Sequence, residues 1–117
     1  MIQVKRIYEK PADEDGCRVL VDRLWPRGVA RHDAALDEWC KSIAPSDDLR
    51  KWFHEDMGGR WREFRSRYKE ELREADEELD RLAETASDPG LTLLTAAKDR
   101  ERNHAVVLKD VLEGKTY

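Results

Sequence analysis

Apolar positions follow two rhythms along this chain, and the change of rhythm marks its elements. Ile2, Val4 and Ile7, with Tyr8 after them, alternate with polar residues, which predicts a strand over residues 2–8. Val19-Leu20-Val21 is unbroken, so residues 17–22 are expected as a strand buried on both faces, as in the middle of a parallel sheet. "LTLLTAAK", residues 91–98, predicts a third buried strand. In between, Trp61, Phe64, Tyr68, Leu72, Ala75, Leu79 and Leu82 recur at steps of three or four among charged residues. That spacing predicts one long amphipathic helix from about 60 to 86, laid across its own sheet. The same stripe also fits a coiled-coil seam, and with it a homodimer.

Local signals complete the order. "DEWCKSIAPS", residues 37–46, is expected as a short strand, since Pro45 would stop a helix. Ser46 is a good N-cap for a helix with Leu49, Trp52 and Phe53 on its apolar face, Asp47 and Asp48 in its positive first turn, and an end at Gly58-Gly59. Asn103 caps a final helix that Gly114 closes. Strands alternating with helices predict a single three-layer α/β domain over 1–117, with a small, mainly parallel sheet flanked by helices.

Charge narrows the field of partners. The 117 residues are 41% charged, with both signs interspersed and a net charge of −4. That balance describes a solvated surface and argues against nucleic acid as a partner, which calls for a basic footprint. Cys17 and Cys40 are too few for a disulfide scaffold and fit no zinc spacing, so no metal is expected. The expected compartment is a reducing cytoplasm. Neither a signal-type apolar segment nor a run of membrane-spanning length occurs, so no membrane association is expected.

Chemistry is expected where ligands bind in open α/β sheets, outside the carboxyl ends of the strands. One buried strand runs into Asp22, Arg23, Trp25, Pro26 and Arg27; another runs into Lys98, Asp99, Asn103 and His104. If the two strands are parallel neighbours, these clusters share a rim. Arg23 and Arg27 suit a phosphate or carboxylate through planar forks, Lys98 adds a point charge, and the helix opening at Asn103 turns amides the same way. Ser46 opens another helix that could add a hydroxyl. Asp22 or Asp99 beside His54 or His104 would suit proton transfer, with Asp22 and His104 the candidate catalytic pair. The indole of Trp25 offers a stacking face. Structural roles compete throughout: an ion pair for Asp22, a core anchor for Trp25, a plain cap for Asn103 and a helix end for His54. Gly-x-Ser-x-Gly is absent, "GGRW" at 58–61 lacks the spacing of a phosphate loop, and no cofactor is expected.

The blocks "VDRLWPRG" (21–28), "WCKSIAPSDDLRKWFHED" (39–56), "RWREFRSRYKEEL" (60–72) and "LTLLTAAKDRERNHAVVLKDVL" (91–112) together resemble the YeaO-like family, a branch of domain of unknown function 488. The resemblance implies a compact α/β fold and adds Arg50 and His54 to the pattern residues, with no catalytic role assigned to any of them. Cys40 stands where an aliphatic residue is expected. The leading expectation is a site for a small anionic ligand (a nucleotide, nucleoside or phosphorylated metabolite), with chemistry on it left open. The alternative is a non-catalytic nucleic-acid or protein-interaction module using Arg60, Arg62, Arg65, Arg67 and Lys69 at the start of the long helix.

Overall fold

The computed structural model describes residues 1–115. Four strands, β1 (Ile2–Arg6), β2 (Cys17–Leu20), β3 (Glu38–Trp39) and β4 (Leu91–Thr95), form one parallel sheet in the order β1-β4-β2-β3. Four helices, α1 (Asp47–His54), α2 (Met57–Leu72), α3 (Asp76–Ser87) and α4 (His104–Glu113), pack on one face. The β2–β3 connection, carrying Trp25, Val29, Ala34 and Leu36, covers the opposite face over Leu20 and Leu94. Helices, sheet and connection are thus three layers, and β4, between two partners, is buried at all five positions.

The stripe of the long helical run is used inside the chain. Phe64, Tyr68, Leu72, Leu79 and Leu82 are at most 3% exposed and belong to one core with Val19, Leu93 and Leu108. Burying side chains of this size contributes about 2–3 kcal/mol each, so most of the stripe is spent on the chain's own core. Helicity runs from Met57 to Ser87 but is jointed by a 3-10 turn at Arg73–Ala75. The three strands expected from the apolar runs end early, at Arg6, Leu20 and Thr95.

The first short helix does not end at Gly58-Gly59. It ends at His54, and both glycines lie in the first turn of α2, where Asp56 accepts from the Gly59 amide at 3.1 Å. A Cβ on Gly59 would stand 2.4 Å from Asp56 Oδ2, so the glycine makes room for the cap. The 37–46 segment is a two-residue strand followed by a 3-10 turn at Lys41–Ile43, whose Ile43 carbonyl accepts the buried Tyr68 hydroxyl at 2.5 Å.

Opposite the helices, Asp15 is 1% exposed and bonds Lys5 (3.0 Å), Arg18 (2.5 Å) and the Ala12 amide (3.0 Å). Arg18 carries on to the carbonyls of Ala34 and Ala35, the latter at φ 51°. Between Asp15 and β2, Gly16 has φ 64°, and a Cβ there would lie 2.6 Å from the Gly90 carbonyl oxygen. Gly16→Ala therefore combines a disfavoured backbone with a backbone clash. It is expected to cost about 3 kcal/mol, read as a lower urea midpoint with an unchanged m-value.

Candidate functional site

Because β2 and β4 are parallel neighbours, the two polar clusters do meet. The pairing continues one residue past β2, with the Val21 amide donating to the Leu94 carbonyl at 3.0 Å, and Asp22 then faces the end of β4. Its carboxylate accepts from Thr95 Oγ1 at 2.7 Å and from the Ala96 amide at 2.8 Å. His104, in the first turn of α4, brings Nε2 to 2.9 Å from Asp22 Oδ1 and 3.0 Å from the Val21 carbonyl. Both neighbours are acceptors, so Nε2 carries a proton, and in a neutral ring the lone pair resides on Nδ1. Burial pushes the Asp22 carboxyl up, but the hydrogen bond and charge of His104, with the Ala96 amide and the Thr95 hydroxyl, outweigh it and hold Asp22 below the usual carboxylate range.

Around this pair lies a cavity of about 660 Å³. The β2 end supplies Arg23, Trp25 and Arg27; the β4 end supplies Lys98, Asp99 and Arg102; α1 supplies Arg50 and His54. Leu24, Pro45, Phe53, Met57 and Phe64 add apolar wall. Tyr8 closes one side, its hydroxyl donating to the Arg27 carbonyl at 3.2 Å.

The expected site residues divide by what else they do. Arg27 and Lys98 are exposed in the cavity wall and, among the described residues, enter no ion pair. Arg23 is partly spent, donating to the Pro45 carbonyl at 3.2 Å and reaching the Ala44 carbonyl at 3.5 Å. Trp25 lines the cavity, yet its indole N–H donates to the Val29 carbonyl at 2.7 Å, its ring meets Trp39 edge-on, and Arg31 covers it at 4.7 Å. It anchors the loop more than it offers a free stacking face. Asn103 is bonded at both ends of its amide, accepting from the Val106 amide and donating to the Asp99 carbonyl, so it is the N-cap of α4.

Two expectations need correction. Asp99 is not beside a histidine: its Oδ1 accepts from the Glu101 and Arg102 amides, both at 2.9 Å, and these bonds lower its pKa. Ser46 is outside the cavity. It caps α1 and binds Glu71 through its hydroxyl (2.6 Å) and amide (2.9 Å). Both are short polar side chains beside unpaired backbone amides, and the amides claimed them.

Arg50 and His54 lie one turn apart on α1. Arg50 Nη2 is 3.4 Å from Asp47 Oδ1, while its Nε is buried without an acceptor. An unsatisfied buried donor of this kind costs about 1–3 kcal/mol. His54, exposed on its outer side, is held below its ordinary pKa by burial first, then by the charges of Arg50 and His104. Sequence reasoning missed Arg102, Met57 and Phe64. Arg102 sits in a charged loop where its companion Arg100 turns instead to Glu9, at 3.3 Å. The other two belong to a stripe that reads as core.

Outside the cavity lining, Glu38, Cys40 and Glu78 approach one another closely enough for a metal. Arg81 already bridges both carboxylates, at 2.6–2.8 Å, and burial raises the Cys40 thiol pKa, so the cluster is a clasp between β3 and α3 that already holds a cation.

The family model described as the inactive DUF488-N3 subclade matches residues 1–117. The chain belongs to the YeaO-like DUF488 family. It is 50% identical over 111 residues to the uncharacterized protein YeaO of Escherichia coli K12, covering 95% of this chain and 96% of that one. It is 41% identical over 114 residues to the uncharacterized protein Rv3073c of Mycobacterium tuberculosis H37Rv, covering 97% and 95%. The uncharacterized protein Mb3100c of Mycobacterium bovis shows the same identity and coverage. No solved structure matches the chain. No helix among the described residues is long and apolar enough to cross a membrane.

Asp22→Asn removes the charge that three donors share and turns one amide hydrogen toward them. A loss of about 2–4 kcal/mol at pH 7 is expected. The folded-state pKa of Asp22 is depressed, so its stabilisation is full above the unfolded value, about 3.9, and is lost as pH falls through the folded value. Urea denaturation of both proteins should show a wild-type advantage that is large at pH 7 and shrinks below about pH 4.

Proposed function

We propose that the cavity binds a small anionic ligand with an apolar or aromatic portion, of the class of nucleotides, nucleosides and phosphorylated metabolites, and that the protein holds this ligand without turning it over. One observation carries the reading. In a chain of net charge −4, five lining side chains are Arg or Lys and only two, Asp22 and Asp99, are carboxylates. Asp22 is wholly engaged and Asp99 caps its own loop, whereas Arg27, Lys98 and Arg102 have no ion-pair partner among the described residues. Positive charge facing a cavity with apolar walls attracts an anion more strongly than the same charge on an open surface.

Binding without turnover is supported by the hydroxyls. Thr95 donates to Asp22 and Tyr8 to the Arg27 carbonyl; among the described residues, the cavity lining contains no serine or cysteine. His104 has a positioned ring but no side-chain nucleophile beside it to activate. The family's description as an inactive subclade agrees. Asp22 and His104 are accordingly assigned to positioning and binding.

The interaction-module reading has less behind it. Arg60 bonds Glu55 and the Trp52 carbonyl, Arg67 pairs with Glu63 and lies over Trp52, and Arg65 lies over Trp61, so much of the basic stretch is occupied. A cytoplasmic setting, which we also propose, suits two free thiols.

A thermal-shift screen over nucleotides and sugar phosphates tests the proposal. A ligand at 100 times its Kd adds about 2.7 kcal/mol, a Tm rise of roughly 10 °C for a chain of this size. Arg27→Ala/Lys98→Ala, both at exposed positions, should leave the ligand-free Tm nearly unchanged and weaken binding about tenfold. A screen without a single shift, or full-strength binding by the double variant, would count against the reading.

A further inference from the structure

We propose that the inner wall built by Arg50, His54 and His104 is the seat for the ligand's dianionic head, a tetrahedral oxyanion such as a phosphate monoester, and that filling it loads a proton onto His54. This rests on the cavity being a ligand site and names where in it the charge goes. The outer cations, Arg27 and Lys98, then act as a gate that attracts the ligand rather than as the seat itself.

The geometry favours this wall because the Arg50 guanidinium, one of the cavity's lining groups, carries a buried N–H without an acceptor. Arg50 Nε is buried and unpaired, and the one carboxylate near that guanidinium, Asp47, touches Nη2 at a long 3.4 Å. One turn on, His54 joins the same wall, and His104 faces it from α4. These three come from two helices whose packing is fixed by the Phe53–Phe64 stack, with centroids 4.2 Å apart, and by the Tyr68 ring edge-on to His104. The Arg50 guanidinium and the His54 imidazole offer N–H donors to a tetrahedral anion, and His104 presents Nδ1, which donates once that ring is protonated.

Burial comes first in disfavouring a protonated His54, and the charges around it add to that. From α1 it feels Arg50; from α4 it feels His104; Arg102, in the loop before α4, lies close to the first turn of α2, with Nη1 3.7 Å from where a Gly58 Cβ would stand. Nearby carboxylates are otherwise engaged. Glu55 pairs with Arg60, Asp56 caps α2, and Asp22 lies behind His104 with its oxygens taken. Empty, the wall therefore disfavours a protonated His54. A dianion reverses the sign of the local potential, so the complex binds more protons than the free protein, and affinity rises as pH falls across the titration of His54.

Sulfate is the test probe, since it stays a dianion across the whole range and every proton exchanged then belongs to the protein. Calorimetric titration at pH 7 in two buffers of different ionisation enthalpy should show net uptake of a fraction of a proton per sulfate bound. His54→Gln should abolish the uptake while sulfate still binds, and Arg50→Gln should weaken sulfate at least tenfold. In the wild type, NMR titration of the His54 ring should show its pKa rising when sulfate is added. Binding without proton uptake, uptake that survives His54→Gln, or undiminished affinity in Arg50→Gln would overturn the proposal. Adenosine 5′-monophosphate separates the two levels. If it binds Arg50→Gln normally but not Arg27→Ala/Lys98→Ala, the inner seat is wrong and the ligand site stands. If neither sulfate nor the nucleotide binds wild type, both fall.

Discussion

A single carboxylate holds the working end of this fold together. Asp22 leaves β2 and takes hydrogens from three places: the side chain that ends β4, the amide that follows it, and the imidazole that opens α4. Bringing a carboxylate in from water costs several kcal/mol, and charge-assisted bonds of about 1.5–3 kcal/mol each are what make the site tolerable. None of the three donors could be lost without exposing that cost. The strand ends and α4 are therefore registered against one another by one group, and the cavity takes its shape from that registration.

The same bond network sets the electrostatics. By sinking its acid into the wall, the protein leaves Arg27, Lys98, Arg102, Arg50 and His54 as charged or titratable groups lining the cavity. A chain with an overall excess of acid thus presents a locally positive hollow, and its acidic residues are concentrated elsewhere, on α3 and the outer loops. Low-dielectric walls from Phe53, Phe64 and Pro45 strengthen the field of those cations where a ligand would sit. Net charge alone is a poor guide to what such a protein binds.

How far the sequence could be read follows the same division. Val19-Leu20-Val21 and "LTLLT" announce buried parallel strands because nothing else tolerates such runs, and their carboxyl ends were therefore legible as a shared rim. The stripe from Trp61 to Leu82 announces its helix for the same reason, apolar area with no other use. What escaped were contests between a side chain and its neighbouring backbone. Ser46 and Asn103 read as caps and as ligand groups at once, Asp99 as a partner for a histidine, and all three serve amides about three residues away. Gly58-Gly59 looks like a stop and proves to be a start, because Asp56 needs the space a Cβ would fill. The joint at Arg73–Ala75 leaves no mark in the apolar spacing, since Leu72, Ala75 and Leu79 keep their three- and four-residue steps through it.

The two acids at the ends of β2, Asp15 buried and Asp22 partly buried, differ in what surrounds them. Asp15, just before the strand, is locked by Lys5 and Arg18, and Arg18 goes on to the carbonyls of Ala34 and Ala35. Both of its cations are consumed by the acid and the backbone, so that lock is closed. Asp22, just after the strand, is locked by neutral donors and one imidazole, and the guanidinium and ammonium groups nearby are left over. The difference lies in the stoichiometry of charge, three cations without an ion-pair partner against no free acid among the described lining residues, and the proposed anion site rests on this surplus, enclosed by apolar walls.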